Sequence, residues 1–404
     1  MAVYNINYKA RKGIVPSGVK KMKVFKKVKA YIAGEGLKET DIVFEKKIQS
    51  FQSEEVEKEI VIPKNCVVLP GFIDEHIHGA GGADISNCSH EVLKQVAQTI
   101  AKSGTTAFLP TTVSQTAESM ERTLTQVCEY MKSGEKEGAE VLGTHLEGPF
   151  LAHRYKGGMR EENLLLPSVE MFDYWYKTSG ETVKMITLAP ELAGAEKLIK
   201  HLKQLGVTVS IGHSAATYQD VIYAKECGAS CVTHTYNAQS PLHHREIGVL
   251  GSALLCDDLT CELIADTIHV SVPAMQILVK NKPSDKVVLI TDSLRAQGLP
   301  QGVYEAGGQT IVVDGTCCRL QDGTLAGTVI PMNGMIRNMV EKVGVPFTQA
   351  VDYATINPAQ NLKIAQRKGS IAIGKDADFA VLDENFDVYM TIRSGEVIYS
   401  RDEI

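Results

Sequence analysis

The sequence predicts an α/β chain built as a (β/α)8 barrel of the TIM type, with a small β-sandwich domain formed from both chain ends. Three observations predict it. From Val67 onward, short apolar runs are followed by loops and then, in most cases, by longer segments with helical spacing. The two ends of the chain instead alternate apolar and polar residues, as half-buried strands do. Polar side chains able to do chemistry recur at the C-terminal ends of the apolar runs, the end where such barrels carry their working groups.

Taken in order, residues 1–66 are rich in Lys, Glu and β-branched residues, with alternating stretches at Val24 to Val28, Ile42 to Phe51 and Glu59 to Val61. They are assigned to the N-terminal part of the sandwich. The Lys-rich patch from Lys20 to Lys29 reads as a solvated edge strand. Residues 67–364 are assigned to the barrel. Its eight strand runs are VVLPGFIDEHIH, TTAFLPTTV, EVLGTHLEGPF, VKMITLAPE, VTVSIGHS, SCVTHTYN, CELIADTIH and KVVLITDS. Helical spacing marks Glu91 to Ser103, Ala117 to Lys132, Ala195 to Leu205, Tyr218 to Cys227 and Pro273 to Lys280 between them, then Asn333 to Val343 and Phe347 to Ala354. The Gly-rich excursion Leu299 to Gly327 is too long for an ordinary connection and is expected to carry its own hairpin. Residues 365–404 complete the sandwich, ending in a hairpin that turns at Ser394-Gly395.

Composition narrows the function. A net charge of -6, sparse aromatics and no long basic run beyond the Lys patch give no support to nucleic-acid binding. No run of apolar residues is long enough for a membrane span, and the N-terminus lacks a signal-peptide pattern, so a cytoplasmic protein with no membrane partner is expected. Nine cysteines without a CxxC pair suit reduced, buried thiols. Vicinal Cys317 and Cys318 read as part of a loop or strand edge.

His76 and His78 form a His-x-His pair at the end of the first run, where the period of two turns both rings the same way. Glu147, His213, His234, His269 and Asp292 stand at the ends of runs three, five, six, seven and eight. Singly, each has an ordinary structural explanation. Five of the eleven histidines at strand ends that converge on one mouth are hard to assign to packing. Imidazole and carboxylate donors without cysteine suit one or two divalent transition-metal ions, zinc, iron or manganese, and a carboxylate can bridge a pair.

PGFIDEHIHG, HLEGPF, IGHSAAT, HTYNAQSPLHHREIG, IADTIHV, TDS and GTLAG, in this order, resemble the N-acetylglucosamine-6-phosphate deacetylase family of the amidohydrolase superfamily. The resemblance implies metal-dependent hydrolysis of the acetamide of a phosphorylated amino sugar, to glucosamine 6-phosphate and acetate. It implies that Glu147, His213 and His234 hold the metal common to the family, that His76 and His78 hold a second ion, and that Asp292 is the acid/base and a further ligand. It implies phosphate contacts from Asn237, Ala238 and Arg245, a place for His269 beside the sugar and the scissile carbonyl, and a late loop of Leu325, Ala326 and Gly327 lining the site. It further implies a homodimer whose partner completes the phosphate pocket.

Arg is a planar donor matched to phosphate; otherwise Arg245 forms a surface ion pair with Glu246. One of His243 and His244 is expected to brace their loop, and His145 to stand as a brace behind Glu147 or as a structural histidine. Superfamily members that bridge two ions with a strand-four Lys differ here, since Lys184 begins that strand, and Glu147 is the expected bridge. Met159 falls where the family carries a polar residue near the sugar, and Thr267 and Ser293 stand where Gly and Ala are common. These departures leave the galacto epimer open as substrate. The competing assignments are a cyclic-amide amidohydrolase and a non-catalytic phosphosugar-binding protein.

Overall fold

A computed structural model describes residues 22–53, 58–315 and 317–402. Eight parallel strands form the barrel: β1 (Phe72–Ile77), β2 (Thr105–Thr112), β3 (Thr144–Glu147), β4 (Val183–Leu188), β5 (Thr208–Ile211), β6 (Cys231–Val232), β7 (Thr260–Ile264) and β8 (Val287–Ile290). Each pairs with the next in chain order. A parallel bridge between Ile77 and Ser293 joins the ends of β1 and β8. Every residue of these strands is buried except Lys184, which is why they read as apolar runs rather than alternating ones.

Helices follow the strands where capping chemistry and apolar spacing agree. Leu198, Ile199 and Leu202 form the buried stripe of Ala195–Leu205, which Gly206 ends at φ +76°. Thr217 and Asp220 close a capping box on Tyr218–Cys227. Three helices have no counterpart in the sequence reading, the short Ile356–Asn361 among them. Gly248–Leu255 is apolar nearly all round and offers no periodic contrast, and Val169–Thr178 is dense in aromatic and β-branched residues of modest helix propensity. Toward the N-terminal ends of the strands, Ala359 and Leu362 pack with Ile73, Ala107, Leu109, Met185 and Cys231 to fill the barrel.

Both chain ends share one sheet, in the order Glu396–Ser400, Val388–Arg393, Phe379–Leu382, Val67–Pro70, Lys23–Ile32, Gly36–Phe44 and Ile48–Ser50. Phe25, Phe44 and Phe379, with ring centroids 5.0–5.6 Å apart, anchor its core. Three expectations change. The run VVLPGFIDEHIH is two strands: Val67–Pro70 pairs with Phe379–Leu382 and Lys23–Ile32, and only Phe72–Ile77 enters the barrel. The crossing is at Gly71, where a Cβ would lie 2.2 Å from the Thr106 hydroxyl, so the chain changes sheet four residues after the boundary set at 66/67. Lys23–Ile32 is an interior strand, not an edge; Lys26, Lys27 and Lys29 lie on its solvent face, and residues 20–21 of the Lys patch lie outside the described residues. The stretch Ile42 to Phe51 divides into two antiparallel strands.

The excursion after β8 forms a four-stranded antiparallel meander over the C-terminal mouth of the barrel, Gly302–Ala306, Gln309–Asp314, Cys317–Leu320 and Leu325–Thr328. Cys317 and Cys318 lie on its third strand. Burial pushes the Cys318 thiol up to about 12, which leaves it unreactive at neutral pH. The closing hairpin turns at Ser394 and Gly395, both at positive φ.

Candidate metal centre and active site

The strand ends bring six donors together. Nε2 of His213 and Nε2 of His234 lie 3.1 and 3.0 Å from Glu147 Oε1. His78 Nε2 lies 3.2 Å from Glu147 Oε2 and 3.2 Å from Asp292 Oδ1, and His76 Nε2 lies 3.4 and 3.7 Å from the same two side chains. The donors thus form two groups, Glu147 with His213 and His234, and His76 with His78 and Asp292, and Glu147 reaches both. His213, His234 and Asp292 stand just beyond their strands in left-handed backbone, at φ +48°, +27° and +47°, a strained conformation that the surrounding structure must hold in place.

The hydrogen-bond pattern fixes the chemistry of the rings. Nδ1 of His78, His213 and His234 faces the carbonyl oxygens of Thr111, Tyr155 and Asn237 at 3.1, 2.7 and 3.1 Å, and Nδ1 of His76 faces Glu262 Oε2 at 3.1 Å. A carbonyl only accepts, so each Nδ1 carries the proton and each Nε2 lone pair points inward. Those lone pairs stand 3.1 Å apart in His213 and His234, and 3.3 Å apart in His76 and His78. Nitrogens so close together need positive charge between them, a shared proton or a metal ion, and a divalent ion fits this donor set.

Electrostatics agree. Burial opposes the charged ring of His76, yet Glu147, Glu262 and Asp292 hold its proton affinity well above the ordinary imidazole value. His78 is lifted to about 9 against burial by Asp292 and Glu147. Burial likewise opposes the charged carboxylates, but His76 and His213 hold Glu147 well below the usual range, and His76 and His78 bring Asp292 down to about 2. Ionised carboxylates around inward nitrogens draw in cations.

The centre opens into a cavity of about 450 Å³. Asn237, Ala238, His269, Leu325, Ala326 and Gly327 line it, as does Met159, whose Sδ accepts from the Ser114 N–H at 3.2 Å. Gly327 is needed at φ +70°, since a Cβ there would lie 2.5 Å from the Asp292 carbonyl. Arg245 is not among the lining residues: it sits on an exposed loop, its guanidinium 2.8 Å from His244 Nε2. Nor does it pair with Glu246, whose carboxylate accepts from the N–H groups of Tyr218 and Gly248. His243 braces this loop through reciprocal backbone bonds with Glu246. Ser293 points away from this cavity; its hydroxyl meets Gln297 and the Gly79 carbonyl at the barrel seam.

His145 packs under His76 with ring centroids 4.7 Å apart. Burial and the neighbouring His76 hold it neutral, its Nδ1 donating to the Glu75 carbonyl and its Nε2 accepting from Thr187. Lys184 is exposed at the far end of β4. Two supporting carboxylates escape the sequence reading. Asp266 accepts at Oδ2 from His269 Nδ1 at 2.6 Å and at Oδ1 from the N–H groups of Ile268 and His269. Glu262 lies fully buried beside His76 and His234. Their signal was present: Glu262 and Asp266 share the period-two face of Thr260 and Ile264 in an otherwise apolar run.

Comparison with known proteins gives a consistent picture. The amidohydrolase family model matches residues 67–398. The N-acetylglucosamine-6-phosphate deacetylase of Bacillus subtilis is 41% identical over 348 residues, covering 86% of this chain and 88% of that one. The N-acetylgalactosamine-6-phosphate deacetylase of Escherichia coli O157:H7 is 35% identical over 331 residues, covering 82% and 87%. Among solved structures, the N-acetylglucosamine-6-phosphate deacetylase of Thermotoga maritima superposes with a TM-score of 0.85 at 34% identity, over 93% of this chain and 99% of that one.

Proposed function

The chain belongs to the amidohydrolase family, and from that premise we propose that it hydrolyses the acetamide of N-acetylglucosamine 6-phosphate, releasing acetate and glucosamine 6-phosphate. The observation that carries the proposal is the set of inward Nε2 atoms and carboxylates, Glu147 reaching both groups, at the floor of a cavity large enough for an amino-sugar phosphate.

Glu147, His213 and His234 would hold one divalent ion, and His76, His78 and Asp292 a second. A bound ion would polarise the amide carbonyl and lower the pKa of water toward neutrality. Asp292 then takes a proton from the attacking water and delivers it to the amine nitrogen as the C–N bond breaks, which conserves protons over the cycle. His269 turns Nε2 toward the cavity because Asp266 holds Nδ1, so an N–H at Nε2 would hydrogen-bond the carbonyl oxygen as charge develops there, without giving up its proton. Asn237 and Ala238, joined by Leu325 to Gly327, hold the sugar phosphate.

Arg245 is assigned to the phosphate of a second copy. Its exposed loop lies outside the lining of its own cavity, so a homodimer is the arrangement that brings it into play. A cytoplasmic setting belongs with this function, supported by nine unpaired cysteines, eight of them buried. Among the described residues no helix is long and apolar enough to cross a membrane.

The test is acetate release by zinc-, iron- and manganese-loaded protein from the gluco and galacto 6-phosphates side by side. Met159 offers no hydrogen bond to a sugar hydroxyl, so the preference for the gluco epimer is expected to stay within about 100-fold. A metal-loaded protein that releases acetate from neither compound would refute the assignment.

A further inference from the structure

One carboxylate beneath the metal centre takes no part in the chemistry above. Glu262 lies in the middle of β7 and is fully buried. A carboxylate in such a place is strongly disfavoured unless positive charge meets it. Among the described residues no Lys or Arg pairs with it, and of the other polar side chains beside it, Glu75 and Cys231 bring no positive charge and His145 is held neutral by burial. Its Oε2 accepts instead from His76 Nδ1 at 3.1 Å and from the His234 backbone N–H at 3.2 Å, while Oε1 has no hydrogen-bond partner.

The four metal-facing imidazoles are not supported alike. His78, His213 and His234 each give Nδ1–H to a neutral carbonyl, and His76 alone gives it to a carboxylate. A carboxylate at that position fixes the ring and makes the opposite nitrogen a better donor to an ion. We propose that Glu262 is a positioning residue for the second ion, supplying through His76 the negative charge that makes the His76, His78 and Asp292 group hold a metal. The proposal rests on the metal-dependent assignment above and adds which residue governs occupancy of the second position.

Chelator-stripped protein would be titrated with zinc chloride by calorimetry, and the bound ions located by anomalous diffraction. The wild type is expected to bind two ions. Glu262→Gln leaves a carbonyl oxygen able to accept from both His76 and His234 but removes the charge. It should weaken the second ion about 10- to 100-fold while the first stays within about twofold. Thermal unfolding of the stripped variant should match that of the stripped wild type, which separates ion positioning from a merely structural role. Equal affinities for both ions in variant and wild type would overturn the proposal, and so would a wild type that binds a single ion, with the deacetylase assignment standing in both cases. A wild type that binds no zinc, iron or manganese would instead overturn the metal-dependent assignment. Should the variant fail to fold, the zinc-loaded wild-type crystal structure decides: a His76 Nδ1 within hydrogen-bonding reach of Glu262 is expected, and one turned away from it sinks the idea.

Discussion

Replacing Asp292 by Asn tests the proton path. The Asp292 backbone is held on both sides, its N–H donating to the His76 carbonyl at 2.9 Å and its own carbonyl accepting from Thr328 N–H at 3.1 Å, so an isosteric side chain keeps its place. Asp292 Oδ1 lies 3.2 Å from His78 Nε2. In the variant an amide oxygen can occupy that position and still face an ion, while the amide NH2 turns to the cavity with no lone pair to take a proton. What is lost is the shuttle rather than the scaffold. Removal of general acid/base catalysis typically costs two to four orders of magnitude in rate, or about 2.7 to 5.5 kcal/mol of activation free energy. Acetate release under saturating substrate measures it, with ion content determined on the same samples. Turnover near the wild-type value in a fully metal-loaded variant would refute the reasoning and leave His269 as the next group to examine.

Arg245→Ala should lower kcat/KM for the 6-phosphate by about 2 to 4 kcal/mol and leave an unphosphorylated N-acetyl sugar nearly unaffected; an equal loss on both would remove the guanidinium from phosphate recognition. Thr267 is β-branched at φ +70°, so Thr267→Gly should raise stability by about 1 kcal/mol in denaturant unfolding, and a loss would show that Thr267 makes an offsetting contact. Lys368 is buried against Glu140, Asp376 and Asp378, and Lys368→Met should cost about 3 kcal/mol at neutral pH by leaving those carboxylates less well balanced. Burial opposes the Lys368 charge but Asp378 and Glu140 raise its proton affinity above the ordinary 10.5, so its contribution is full below that value and fades as pH rises through the folded one. Glu140 is lowered below 4.5 against burial by Lys368 and Arg367, so its share is present above 4.5 and lost as pH falls through the folded value. Unfolding followed against pH should show Lys368→Met with a shallower alkaline decline than the wild type.

Much of this architecture was legible because buried parallel strands leave a plain trace. The runs are mostly apolar until the chain reaches the mouth of the barrel, and there His76, Glu147, His213, His234 and Asp292 stand out. Ala195–Leu205 and Tyr218–Cys227 were readable to the residue because a Gly stop or a capping box coincides with the end of the apolar stripe. What escaped has a different cause in each case. Gly248–Leu255 lacks a polar face, so no periodicity separates it from a strand. Glu262 and Asp266 look like isolated charges until partners from other strands, or a turn three residues on, give them a purpose. Arg245 sits near Asn237 and Ala238 in sequence, yet a loop carries it clear of the cavity they line, and sequence spacing holds no record of that reach.

The change of sheet at Gly71 bears on the order in which the protein can be completed during synthesis. Val67–Pro70 leads within a single residue into the strand that carries His76, and one of its flanking partners is Phe379–Leu382, more than three hundred residues later. Until that late segment has left the ribosome, the root of β1 lacks one neighbour, although β2 and Lys23–Ile32 are already available. A long-range pairing of this kind forms late because the intervening chain must first be closed into a loop. The His76 and His78 rings are therefore made among the first fifth of the chain and gain their full support among the last, so a ribosome-bound fragment that stops short of Phe379 carries every residue of the metal centre without the whole of the frame that aims them.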